Sequence, residues 1–209
     1  MNTLDFIVNK FGLDTNRKPP IEILNINRPI MAETLCELGF KLGAEIGVQQ
    51  GIHAQALCKN NPGLKLYCVD PWEPVFGYKE DKDQHNTYYA EALDRLKPYN
   101  CMFIRRYSMD ALELFEDESL DFVYIDAGHD FKNVAMDIVE WPKKVRPDGI
   151  VFGHDFKRHV TPIHHHHVVD VVSAYTYAYQ INPWFILGKP GHSDGMYAEG
   201  TRSWMFVKQ

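Results

Sequence analysis

The sequence predicts an α/β fold: a doubly wound, mostly parallel sheet with helices on both faces. Three observations carry this. Apolar runs of strand length recur through the middle of the chain, segments with helical spacing separate them, and the runs are nearly continuous in apolar residues. Strands buried on both faces read this way, because helices cover the sheet above and below. The connections are then right-handed crossovers.

The elements follow in order. GAEIGV (43–48) is the first strand and GIHAQALCKN (51–60) the helix after it. LKLYCVD (64–70) is the second strand and ends in an acid. After a Pro/Trp/Gly-rich loop, TYYAEALDRLKPY (87–99) has helical spacing, and CMFIRR (101–106) is the third strand. SMDALELF (108–115) is a helix with Ser108 as its N-cap. LDFVYIDA (120–127) is the fourth strand, followed by a helix over 131–144 that Pro147, Asp148 and Gly149 break. GIVFGHD (149–155) is the fifth strand and VVDVVSAYTYAYQ (168–180) a further helix. WFIL (184–187) and SWMFVK (203–208) are strands joined by a Gly-rich segment without a helix, so they form an antiparallel pair at one side of the sheet. The first 42 residues are less regular: Lys18-Pro19-Pro20 reads as a loop and 29–38 as a helix with Pro29 in its first turn. The chain therefore divides into an extension over 1–42, a candidate lid, and a domain over 43–209.

Composition narrows the function. A chain of 209 residues with 45% hydrophobic and 24% charged residues suits one sizeable core. No apolar run is long enough to span a membrane, and MNTLDFIVNK lacks the pattern of a secretory leader. The net charge of −6 comes without a Lys/Arg cluster, which argues against a nucleic-acid partner. Cys36, Cys58, Cys68 and Cys101 form no C-x-x-C pair, so a zinc ribbon is not expected and a reducing cytoplasm is. The run His164 to His167 is internal; its consecutive rings do not share one face, and it reads as a solvated loop or helix start.

The chemistry concentrates at the strand ends. Glu45-Ile46-Gly47-Val48-Gln49-Gln50-Gly51 joins the first strand to its helix. Gly47 permits a sharp exit, Gly51 a close backbone approach, and the helix start offers free N–H groups. The spacing is G-x-x-x-G rather than G-x-G-x-x-G, and the acid before Gly47 repels a pyrophosphate but suits an ammonium. Asp70 ends the second strand, where a carboxylate can accept from ribose hydroxyls, and Trp72 can flank the nucleoside. Met109 and the amide near Ser108 offer adenine an apolar surface and a polar atom, or else only a core residue and a cap. The fourth strand ends at Asp126, with His129 close behind, and the fifth ends at His154-Asp155. In a parallel sheet these ends share one edge. Their cluster either holds a divalent metal through Asp126, Asp155 and His154 or uses His129 or His154 as a general base.

E-I-G-V-Q-Q-G, Y-C-V-D-P-W, D-F-V-Y-I-D-A-G-H-D-F and V-R-P-D-G-I-V-F-G-H-D-F together resemble the class I S-adenosylmethionine-dependent methyltransferases, over 43–156. The likeness is to the branch with D-x-x-H after the fourth strand and H-D after the fifth. It implies a Rossmann-like sheet of seven strands, six parallel and the last antiparallel beside the fifth. It also implies S-adenosylmethionine as cofactor. Glu45 and Gly47 would contact its methionine part, Asp70 the ribose, Ser108 and Met109 the adenine edge, and Asp126 would sit near the methyl; Gln49, Gly51 and Trp72 are further candidate cofactor-binding residues. Relatives hold magnesium with acids at the places of Asp126 and Asp155, but His154 stands here where a second acid is usual, which leaves a softer metal or none. The expected reaction is O-methylation of a small hydroxylated molecule, sugar-like or natural-product-like, with self-association undecided. An NAD-dependent reductase and a non-catalytic cofactor-binding module are the alternatives.

Overall fold

The computed structural model describes residues 1–74, 82–160, 165–191 and 201–209. Eight strands form one sheet in the order β1 (Ile21–Ile23), β9 (Phe185–Leu187), β10 (Ser203–Val207), β6 (Val145–Gly153), β5 (Leu120–Ile125), β2 (Leu42–Ile46), β3 (Lys65–Val69), β4 (Cys101–Ile104). β10 runs antiparallel to both β6 and β9, as the helix-free link between the two late strands predicts, and every other pairing is parallel.

The eighth strand departs from the seven expected. β1 is only three residues long and carries no readable period, but it pairs parallel to β9 at the sheet edge, and the Ile21 N–H donates to the Trp184 carbonyl. The stretch before residue 43 is also more regular than its sequence reads. It holds α1 (Thr3–Phe11), capped by Asn2, and α2 (Arg28–Glu37), capped by Asn27 with Pro29 in the first turn. Ile7, Ile21, Ile23, Met31 and Leu35 share one apolar cluster with buried residues of β3, β5, β6, β9 and β10.

The remaining helices are α3 (Ile52–Asn60), α4 (Lys82–Leu96), α5 (Ser108–Ala111), α6 (Phe131–Lys144) and α7 (Val168–Ala178). The helix expected over 108–115 is shorter, because residues 112–114 tighten into a 3-10 turn. β6 begins at Val145, four residues earlier than expected; the Pro147-Asp148-Gly149 break becomes an irregularity within the strand. Asp148 sits there at φ 62, and its carboxylate caps the N-terminus of α1 by accepting from the Thr3 N–H. The short β7 (His159–Val160) and β8 (His165–His166) form a separate antiparallel hairpin. Two apolar layers flank the sheet, and the C-terminal ends of β2, β3, β5 and β6 lie side by side at its middle. His164, His192 and most of the Gly-rich link before β10 lie outside the described residues.

Candidate active site

A cavity of about 750 Å³ opens along those strand ends. It gathers all the residues expected from sequence except Gly51: Glu45, Gly47, Gln49, Asp70, Trp72, Ser108, Met109, Asp126, His129, His154 and Asp155 line it. Gly51 stands just behind as the left-handed N-cap of α3, φ 73. Gly47 adopts φ 87, and a Cβ there would lie 2.2 Å from the Asp126 carbonyl oxygen. The residue type is thus dictated twice, by backbone conformation and by close approach.

Asp70 organises the loop. One carboxylate oxygen accepts from the Val48 and Gln49 N–H groups, both at 2.9 Å, and the other from the Trp72 N–H at 2.7 Å. Trp72 is buried, donates its indole N–H to the Gln49 carbonyl at 2.8 Å and packs against Tyr89. It forms the floor under the loop as much as a wall of the cavity. Ser108 is similarly engaged: its hydroxyl contacts the Asp137 carboxyl and accepts from the Trp141 indole at 2.7 Å. Burial pushes Asp137 up to about 7. Sequence reasoning missed Asp137; its only signal is a lone acid among apolar positions of α6.

Beneath the loop lies a buried polar group. Glu45 is 2% exposed, and its Oε2, 3.5 Å from His53 Nδ1, has no hydrogen-bond partner among the described residues. Burial first, then the Asp126 charge, raises its carboxyl well above the usual range. Burial and the Arg28 charge hold the His53 imidazole well below its ordinary value, and its ring packs on Tyr124 with centroids 3.9 Å apart. His53 and Arg28 are further residues the sequence did not single out. Neither has a local signature; only the packing of α2 and α3 against the strand ends brings them in.

Across the cavity, His129 Nε2 lies 2.9 Å from Asp155 and 3.5 Å from Asp126. Burial opposes a charged imidazole here, but the two carboxylates outweigh it and push His129 up to about 10. The same contacts hold Asp126 and Asp155 below the usual carboxylate range against their burial. Asp126, His154 and Asp155, the expected metal set, each offer a ligand atom within 4.8 Å of the others. Part of the histidine run belongs to the site rather than to solvent: His166 lines the cavity and stacks on His129. His167 Nδ1 accepts from the Phe131 N–H at 3.0 Å.

Among the described lining residues, seven carry carboxyl groups (Glu45, Asp70, Glu73, Asp126, Asp130, Asp137 and Asp155), and Arg28 is the single Lys or Arg. Fold and cavity together define an α/β protein built to hold a nucleoside-like ligand at its strand ends, with an acidic lining that suits positive charge. A family described as "Methyltransferase domain" matches residues 44–156, more than half of the chain. The chain belongs to that methyltransferase family. It is 25% identical over 122 residues to the uncharacterized protein y4gI of Sinorhizobium fredii, a match covering 55% of this chain and 12% of that protein. Solved structures with the same fold include an O-methyltransferase family protein from Burkholderia thailandensis, at 13% identity and TM-score 0.58, where 86% of this chain covers 55% of the other. The O-methyltransferase TomG from Streptomyces achromogenes, involved in tomaymycin synthesis and solved with SAM, aligns at TM-score 0.61 and 15% identity over 99% of this chain and 89% of its own. An O-methyltransferase from Bacillus cereus in complex with SAH aligns at TM-score 0.61 and 16% identity, over 99% and 90%. Among the described residues no helix is long and apolar enough to cross a membrane.

Proposed function

We propose that the chain is an S-adenosylmethionine-dependent methyltransferase acting on the hydroxyl of a small molecule. The observation that carries this is the acidic cavity with Glu45 at its base. A cofactor bearing an ammonium and a sulfonium is favoured there, and a dinucleotide pyrophosphate is not. Bound S-adenosylmethionine supplies an already activated methyl group, so the residues of the chain mainly position and exclude water. The Glu45 carboxyl at the cavity wall receives the ammonium, the Gly47 turn lets the cofactor approach the backbone, and Met109 offers the adenine an apolar face. Asp70 holds the ribose-side loop in shape.

The acceptor enters from the side of Arg28 and Thr201. Both also line an adjoining cavity of about 270 Å³, bounded by apolar residues such as Ile30, Met31 and Phe152, amides such as Asn25 and Asn27, and no carboxylate among the described residues. That mixture suits a hydroxylated ring, and it supports the reading of the 1–42 segment as part of a lid. His154 is the base the geometry favours for the acceptor proton, since it faces the Thr201 hydroxyl at 3.2 Å while His129 is clamped between two carboxylates. The convergence of Asp126, His154 and Asp155 favours a second route, in which a divalent ion held there acidifies the hydroxyl.

Asp126→Asn, His129→Gln and His154→Gln are each expected to lower turnover of a responsive hydroxylated acceptor by roughly 100-fold. Full activity in all three overturns the reading. Calorimetry with S-adenosylmethionine and NADH separates it from a reductase, and a cofactor-binding chain with no turnover on any acceptor returns the binding-module alternative.

A further inference from the structure

The histidine run has a structural consequence beyond the expected metal set. The β7–β8 hairpin carries His166 over the strand ends, and two contacts anchor it to the loop after β5. The His167 N–H donates to the His129 carbonyl at 2.9 Å, and the Phe131 N–H donates to His167 Nδ1 at 3.0 Å. The His129 and His166 rings then lie nearly parallel, 14° apart with centroids at 4.8 Å. Asp155 faces them from the end of β6. One ligand atom each from His129, Asp155 and His166 falls within 4.8 Å of the others.

We propose that His129, Asp155 and His166 form a three-ligand centre for a first-row transition dication of the zinc, cobalt, iron or manganese class, in preference to magnesium. The donor set carries the argument. Two imidazoles and one carboxylate match borderline ions and leave positions open, whereas magnesium prefers oxygen ligands and retained water. The spacing agrees. Adjacent corners of an octahedron with bonds of about 2.1 Å lie about 3 Å apart, and His129 Nε2 and Asp155 Oδ2 stand at 2.9 Å. Asp126, 3.5 Å from the same nitrogen, adds a nearby negative charge. A dication between them would replace the direct His129–Asp155 ion pair. This assignment differs from the Asp126–His154–Asp155 set in drawing a ligand from the hairpin, and it leaves His154 available to the acceptor. It rests on the methyltransferase reading for its purpose, which is to hold an acceptor oxygen beside the cofactor; metal binding itself is measured separately.

The test uses the full chain stripped with a chelator. Zn2+, Co2+ and Mg2+ are titrated calorimetrically, and Co2+ also by visible absorption. One Zn2+ or Co2+ is expected per chain, bound about 100-fold or more tightly than Mg2+. His166→Asn and His129→Asn are each expected to weaken Co2+ binding about tenfold or more. His166→Cys is expected to retain Co2+ and to add a thiolate-to-cobalt charge-transfer band, a signature that a merely structural role does not produce. Asn substitutions at His164 and His165 are expected to leave Co2+ affinity unchanged. A preference for Mg2+, no loss at His166→Asn, no new band in His166→Cys, or affinity carried by His164 or His165 would each overturn the assignment. S-adenosylmethionine is titrated into the same metal-free chain; its failure to bind overturns the methyltransferase reading instead.

Discussion

On the Glu45–Trp72 side of the cavity, backbone geometry makes the site. Gly47 packs against the Asp126 carbonyl, and Asp70 gathers three main-chain N–H groups. On the opposite side, His129, Asp155 and His166 meet through side-chain contacts and ring stacking. The first arrangement cannot be altered without altering the fold locally. The second can lose a side chain while the strands that present it persist. On the proposed reading, cofactor capture is tied to the sheet, and acceptor chemistry to residues supplied by loops and a hairpin, which vary more freely.

Substitutions that separate the two sides test this contrast. Gly47→Ala is expected to have the largest effect, because it adds a clash 2.2 Å from a carbonyl to a backbone at φ 87. A loss of roughly 2–5 kcal/mol of unfolding free energy is expected, measurable by urea denaturation, together with loss of cofactor binding. Asp70→Ala comes next, leaving the Val48, Gln49 and Trp72 amides without their acceptor; about 2–3 kcal/mol is expected. Wild-type cofactor affinity in that variant would show that the loop holds its shape without the carboxylate. By comparison, His129→Gln on the other side is expected to depress turnover far more than thermal stability.

The smallest effect concerns Asp137, whose folded-state value of about 7 lies above the ordinary carboxylate range because of burial. The folded chain binds this proton more tightly than the unfolded chain. The proton therefore favours folding at low pH, and its contribution is lost as pH rises from about 4 through about 7. Asp137→Asn is expected to flatten that part of the stability–pH profile and to gain about 1–2 kcal/mol at pH 8. An unchanged profile would mean that the Ser108–Asp137 contact already compensates the buried charge.

Much of this was legible along the chain. Continuous apolar runs mark the parallel strands, because both faces are covered. Glu45, Gly47, Asp70, Asp126, His129, His154 and Asp155 each follow or end such a run, so their meeting at one sheet edge follows from parallel topology alone. Arg28, His53, Asp137 and His166 were not legible as site residues. Arg28 reaches the cavity only because α2 lies against the strand ends, and His166 only because a two-residue strand pairs with β7. β1 escaped for a similar reason, since three residues show no period and their pairing with β9 spans more than 160 positions of sequence.

By itself, the sequence determined the parallel α/β architecture, the turn that demands glycine at 47 and the row of acids and histidines at the strand ends. These depend on local periodicity and backbone conformation, which neighbouring residues encode. The tertiary structure decided which groups share a dehydrated space: that Glu45 lies beside His53, that His129 stands between two carboxylates, and that His166 stacks on His129. Burial and charge coupling act through distance in space, and no spacing along the chain measures that.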